Sequence, residues 1–302
     1  MEVFMKYIGI DLGGTNLRVG IVDEKGCIFE KKVVRTEGDK GSDFVIQRIV
    51  DTARSLEGFD SAVAAGAGVP AAIDYKNGVV PCVSNLSGWN DVKLKYLLEE
   101  AFRKRVFLEN DANAAGYGEA IFGAGRGHNI VQYITISTGV GGGLVIGGKV
   151  IRGQSGNASE IANIILPSKY EFNNSRDCNL ENLASGTAIA SFGRKRIKGV
   201  TNAADVFELS QEGNVEAVAI IDHALESLAR GISNIAYVVE PDIFVLGGGV
   251  MKSLEPLLDE LIDKTMAYMT PRMGERLKIR PGVLEEPGMV GAVLCAMDGM
   301  KN

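Results

Sequence analysis

The sequence predicts an α/β protein built as two similar lobes, and three observations carry that prediction. Strand, glycine turn and hairpin open the chain, and the same succession returns near its middle. A third glycine loop follows a buried strand late in the chain. Between them, short β-branched runs alternate with stretches of helical apolar spacing, the pattern of strands covered by helices. With 302 residues there is chain enough for two full-sized cores.

The elements follow in order. Tyr7-Ile8-Gly9-Ile10 reads as a strand entering Asp11-Leu12-Gly13-Gly14-Thr15, with further strands over 17–22 and 28–34 separated by a turn at Asp23-Glu24-Lys25-Gly26. Ser42 is placed as the N-cap of a helix that carries Val45, Ile49, Ala53 and Leu56 on one face. A strand over 62–66, a helix over 94–103, a strand over 106–108 and a helix over 112–122 come next. The run 131–136 then enters Ser137-Thr138-Gly139-Val140-Gly141-Gly142-Gly143, and a hairpin through Gly147-Gly148 completes the echo. Helices follow over 186–196, 215–239, 254–269 and 287–300, with a strand over 243–246. Residues 1–113 plus 287–302 are expected to form a smaller lobe and 114–286 a larger one, the last helix returning to the first lobe.

Composition excludes several classes. The chain is 46% hydrophobic and 23% charged, the balance of a soluble globular protein. Net charge is −6, and the densest basic cluster, Arg194-Lys195-Arg196 with Lys198, lacks interleaved aromatics. It reads as a solvated helix face, so no nucleic-acid partner is expected. No apolar run is long enough to cross a bilayer and no signal peptide is visible, so a cytoplasmic protein without a membrane partner is expected. Cys27, Cys82, Cys178 and Cys295 form no CxxC pair, which fits reduced thiols. With only His128 and His223 besides, they supply no zinc site of usual spacing. The 38 glycines gather in three loops, which points to backbone approaching a ligand.

Each loop has an ordinary reading beside the functional one. Asp11-Leu12-Gly13-Gly14-Thr15-Asn16 can aim backbone N–H groups and the Thr15 hydroxyl at phosphate oxygens, with Asp11 as a Mg²⁺ ligand through water; it can also be a plain acidic hairpin. Thr138-Gly139-Val140-Gly141-Gly142-Gly143 repeats the device. Gly247-Gly248-Gly249 could pack against an adenine ring or admit a phosphate, or simply join strand to helix. Two look-alikes fail. Gly66-Ala67-Gly68-Val69-Pro70-Ala71 matches a loose dinucleotide fingerprint, but Pro70 argues against a helix opening there. Gly143 to Lys149 nearly spells a phosphate-binding P-loop, but has Val150 where a Mg²⁺-holding hydroxyl must stand.

Taken together, the three loops resemble the two phosphate motifs and the adenosine motif of the sugar kinase, heat-shock protein and actin superfamily. Nearly the whole chain resembles the ROK family (repressors, open reading frames and kinases) of bacterial sugar kinases. The resemblance is carried by Gly9-Ile10-Asp11-Leu12-Gly13-Gly14-Thr15, Gly68-Val69-Pro70, Asn85-Leu86-Ser87-Gly88-Trp89, Glu109-Asn110-Asp111-Ala112-Asn113-Ala114-Ala115, Phe122 to Gly127, Ser137 to Gly143, Leu180-Glu181, Ala184 to Ala188 and Val245 to Val250. It implies a two-lobed actin/hexokinase-like (ribonuclease H-like) fold with the active site in the interlobe cleft. It further implies ATP and Mg²⁺ as cofactors, a small sugar or cyclic polyol as substrate, and a homodimer. On the matching positions it makes Asp111 the general base. Asn85, Asn110, Asp111, Glu160, Asn163 and Glu181 become acceptor contacts, and Asp11, Gly13, Gly14, Thr15, Asn16, Thr138, Gly139, Gly247, Gly248 and Gly249 ATP contacts. The physics agrees for Asp111: phosphoryl transfer needs the nucleophile positioned and its proton accepted by a carboxylate. Its plain alternative is a helix N-cap.

The chain departs from the family on the acceptor side. Where relatives usually present Glu-x-Gly-His, this sequence has Glu160-Ile161-Ala162-Asn163, and Asn cannot become cationic. The cysteine-rich zinc motif that normally follows is missing, so no zinc is expected and packing must hold that loop. An acceptor other than glucose is therefore expected: another hexose, an amino sugar or an inosose. A zinc-free glucokinase is the alternative, and whether polyphosphate can replace ATP stays open. Only about ten residues precede Asp11, too few for the DNA-binding domain of a repressor. The retained Asp11, Asp111 and Thr138 argue against an inactive sugar sensor, and the Glu-Asn-Asp-Ala-Asn run against an actin- or chaperone-like ATPase.

Overall fold

The computed structural model describes residues 4–83 and 86–301. By its contacts the chain forms two compact units, one of residues 1–127, 143–158 and 283–302, the other of 128–142 and 159–282.

The first unit opens with β1 (Lys6–Leu12), β2 (Asn16–Asp23) and β3 (Ile28–Arg35), an antiparallel meander. Helix α1 (Ser42–Arg54) buries Val45, Ile49 and Ala53, as its spacing predicts. Its N-cap is Gly41 and not Ser42, which is already the first helical residue; no side chain closes this end. Strand β4 (Ala64–Val69) is buried throughout, and β5 (Val80–Cys82) and β6 (Asn90–Val92) form a small separate hairpin. Helix α2 (Leu94–Phe102) leads to β7 (Arg105–Asn110), which runs directly into α3 (Asp111–Phe122). The sheet order is β3-β2-β1-β4-β7, with β1, β4 and β7 parallel.

The second succession is β8 (Ile130–Ile136), β9 (Val140–Ile146) and β10 (Lys149–Val150), and the division between the units runs inside β9. A largely helical stretch follows: α4 (Leu180–Ala184), α5 (Gly186–Arg196), α6 (Ala203–Gln211) and the 25-residue α7 (Val215–Val239). Strand β11 (Ile243–Gly247) precedes α8 (Met251–Leu254), α9 (Leu258–Ala267), α10 (Pro271–Gly274) and β12 (Ile279–Pro281). The single helix expected over 254–269 is broken into pieces by a 3₁₀ turn at Glu255–Leu257, because Pro256 has no N–H to donate. The order β10-β9-β8-β11-β12 reproduces that of the first sheet, so the sequence echo is an echo of topology. Here α7 buries Ile220, Leu228 and Ile232 in the core with Phe244 and Leu246 of β11.

Helix α11 (Pro287–Lys301) closes the first unit. It joins Tyr7, Val22 and Ala64 in a core through Met289, Val290 and Val293. Small residues let it approach: the position of a side chain on Gly118 of α3 is occupied by the Pro287 carbonyl, 2.6 Å away. This packing of α3 on α11 keeps all of α3 in the first unit, whereas the sequence division was drawn at 113.

Candidate active site

In the first unit the turn between β1 and β2 is closed internally. Gly13 N–H donates to the Asn16 carbonyl at 3.0 Å, and Thr36 ties it from β3 through Oγ1 to Gly13 O at 2.6 Å. The Gly13 N–H is thus used within the turn, while Gly14 is partly open, Thr15 is exposed and Asn16 begins β2. Asp11 is the next-to-last residue of β1, before the buried Leu12, with 19% of its side chain exposed. Arg18 reaches its Oδ2 at 3.4 Å and Glu286 at 3.1 Å. Burial pushes the Asp11 carboxyl up to about 6, Arg18 opposing and Glu286 adding to the shift. A largely buried carboxylate near a strand end that keeps some access to solvent suits a cation that keeps most of its waters.

At the junction of β7 and α3, Asn110 and Asp111 divide the work. Asn110 is the N-cap: its Oδ1 accepts from Asn113 N at 3.0 Å, and its amide reaches Ala71 O at 3.4 Å. Asp111 is the first helical residue, half-buried, with Oδ1 accepting from Ala112 N at 2.8 Å. The capping alternative for Asp111 is thereby removed. Beneath them lies Glu109, with no exposed surface. Asn85, expected at the acceptor, lies outside the described residues.

In the second unit the other two glycine loops are tied to each other and to α5. Gly186 N donates to Ser137 O at 2.8 Å, Thr187 N to Thr138 O at 3.2 Å, and Val250 N to Ile136 O at 3.0 Å. Gly248 has φ +94, open to glycine and strained for other residues, and lies over the Ile136 carbonyl. Thr138 and Gly249 face a cavity of about 350 Å³ that Thr187, Arg194 and Asn202 also line. Gly139 packs so closely on the Glu181 carboxylate that a methyl would overlap it.

Glu181 accepts from Val140 N at 3.0 Å, so it holds the loop that contains Thr138 and Gly139. Burial, and then the charge of Glu181, raise the carboxyl of Glu160 above its ordinary range. Asn163 ends a 3₁₀ turn at Ile161–Asn163 and is exposed, while Ala162 is buried. The segment 164–180 is closed by an antiparallel bridge between Ile165 and Asn179. The Cys178 thiol donates to Leu166 O at 2.9 Å. Tyr170 is held between Phe192 (4.2 Å between centroids), His223 (4.5 Å) and the Arg196 guanidinium (4.4 Å). Among the described residues no three His, Cys, Asp or Glu side chains gather as a metal would need.

Several of these residues were not singled out in the sequence. Arg194 read as a solvated face, which its exposure supports, yet it also borders the cavity by bonding to Thr201 O at 2.9 Å. Arg18 and Glu286 stand far apart in sequence and nothing local announces their meeting at Asp11.

Comparison with known proteins bears on this arrangement. The model of the ROK family matches residues 7–298. A glucokinase from Thermotoga maritima is 34% identical, over 95% of this chain and 96% of its own. The crystal structure of a ROK hexokinase from Thermus thermophilus superposes with a TM-score of 0.85 at 31% identity, covering 98% of this chain and 99% of that one. A ROK family glucokinase from Streptomyces griseus, in complex with glucose and AMPPNP, gives 0.83 at 28% identity, covering 97% and 100%. Among the described residues, no helix is long and apolar enough to cross a membrane.

Proposed function

The chain belongs to the ROK family, and from that premise we propose that this carbohydrate kinase transfers the γ-phosphate of ATP to a sugar or sugar-like ring other than glucose. Asp111 takes the proton of the attacking hydroxyl. Asn110, whose amide carries a second proton, orients that hydroxyl, and Glu160 and Asn163 select among acceptors. Thr138, Gly139 and Gly249 receive the nucleotide, and Asp11 holds Mg²⁺ through water. When bound, the ion neutralises charge on the phosphates during transfer.

The observation that carries the choice of acceptor is the pair of changes on one wall. Asn163 stands where the family resemblance implies a histidine, and the segment after it is closed by a strand bridge and a ring clamp. Polar groups that a bound acceptor covers and leaves unpaired reject it strongly, so a new donor pattern changes selection more than a change of volume does. Glucose is the second reading, favoured by the name of the Thermotoga maritima relative.

An ADP-release panel over hexoses, amino sugars, inositols and inososes decides between them. A non-glucose acceptor is expected to exceed glucose in kcat/KM by at least about tenfold, the yield of one well-placed hydrogen bond. Glucose leading the panel would overturn the proposal. Gly139→Ala is expected to push Glu181 off Val140 and raise the KM for ATP roughly tenfold, since overpacking a fixed site costs ~1–3 kcal/mol. Titration of ATP at saturating acceptor measures it.

A further inference from the structure

We infer that Glu109 and Arg152 are positioning residues for Asp111, an inference that rests on Asp111 being the base. Glu109 has no exposed surface, and its two carboxylate oxygens are almost fully assigned. Oε2 takes both Nε and Nη2 of Arg152 at 2.7 Å. Oε1 accepts the Tyr75 hydroxyl, Asn110 N at 3.1 Å and Asn113 Nδ2 at 3.2 Å. Two of those donors are the cap of α3 and the residue whose N–H that cap receives, so a single carboxylate fixes both sides of Asp111 in the chain.

A charge without water must be paired and hydrogen-bonded to persist. Arg152 supplies the pairing from the loop after β10, with its guanidinium over the Tyr75 ring at 4.7 Å. Its side chain is 43% exposed and borders a cavity of about 960 Å³ within the first unit. The two partners are therefore unequal. Arg152 can swing into water when its partner is neutralised, whereas Glu109 cannot follow if Arg152 is removed.

What the pair contributes is placement. Neither side chain acts on the reacting atoms; both hold the end of β7 and the first turn of α3 at one setting. Displacements of the order of an ångström at a base cost about 10²-fold in rate. A purely structural role would instead show as lost stability, or as KM changes shared by both substrates.

The test uses the full chain at saturating ATP and its best acceptor, well below the unfolding midpoint. Glu109→Gln and Arg152→Met are each expected to lower kcat about 10²-fold with both KM values within about twofold of wild type. Arg152→Lys, which keeps the charge but not the two-pronged contact, is expected to recover part of the loss. In the Asp111→Asn background, Glu109→Gln is expected to add almost nothing, because there is no base left to misplace. Should Arg152→Met not fold, because it leaves the buried Glu109 charge unpaired, Glu109→Gln, which frees Arg152 to turn into water, still decides. A kcat for Glu109→Gln within about threefold of wild type, or a loss carried by KM, overturns the inference. High activity in Asp111→Asn itself would instead remove the base assignment beneath it, so the two failures are told apart.

Discussion

Asp111→Asn is expected to lower kcat by about 10²–10⁴-fold, the range lost when a well-placed general base is removed. The unfolding midpoint should move by no more than about 2 °C, as for a substitution outside the core. The structure separates the two effects. Asn110, not Asp111, caps α3, so the substitution leaves the cap in place. Asparagine retains an oxygen where Oδ1 accepts from Ala112 N. It loses the negative charge and with it the capacity to accept a proton and keep it. ADP release at saturating substrates, beside a thermal melt, reads both quantities. A variant keeping more than about a tenth of wild-type kcat would mean that another group takes the proton.

Acid is expected to weaken the fold through His223 by roughly 2–3 kcal/mol between pH 6.5 and 4, at 1.36 kcal/mol per pH unit for one proton. The ring is 6% exposed on α7, and burial, followed by the charge of Lys169, lowers its pKa from 6.5 to about 4. Asp222 and Glu226 pull the other way, and Arg230 adds slightly to the depression. As pH falls below 6.5 the unfolded chain binds the proton first, and the folded chain binds it only near 4. The stabilisation is therefore complete above 6.5 and lost by about 4. Because His223 meets Tyr170, the loss should begin at the segment 164–180. Denaturant unfolding of wild type and His223→Gln at pH 7 and pH 5 tests this. The variant should lose less stability over that interval, and equal losses would assign the acid sensitivity elsewhere.

How far the sequence could be read depended on whether a feature is local. Strand β1 and helices α5 and α7 follow from alternation and helical spacing, and the repeated strand, turn and hairpin pointed to two similar α/β units, whose matching sheet order only the structure shows. Ser42 failed as a cap because Gly41 already supplies the chain reversal, a backbone property that side-chain preference does not report. Helix α6 went unread although Asn202 and Asp205 form a capping box at its start. At the site, the glycine turns were legible as breaks between strand-like runs, whereas the role given to Asp111 came from the family resemblance and stands as a proposal. The bonds from Glu181 to Val140 and from Arg152 to Glu109 join residues 41 and 43 positions apart, and no short pattern carries such a pairing.

The ring clamp around Tyr170 has a consequence for the conditions under which the enzyme holds its shape. A loop stapled by a coordinated ion is as firm as the supply of that ion, and chelators or starvation can undo it. A loop held by tilted and edge-on rings beside a strand bridge and a thiol-to-carbonyl bond draws in part on hydrophobic burial, which near room temperature is entropic and weakens on cooling. Cold is a stress to which this stretch of the protein should answer.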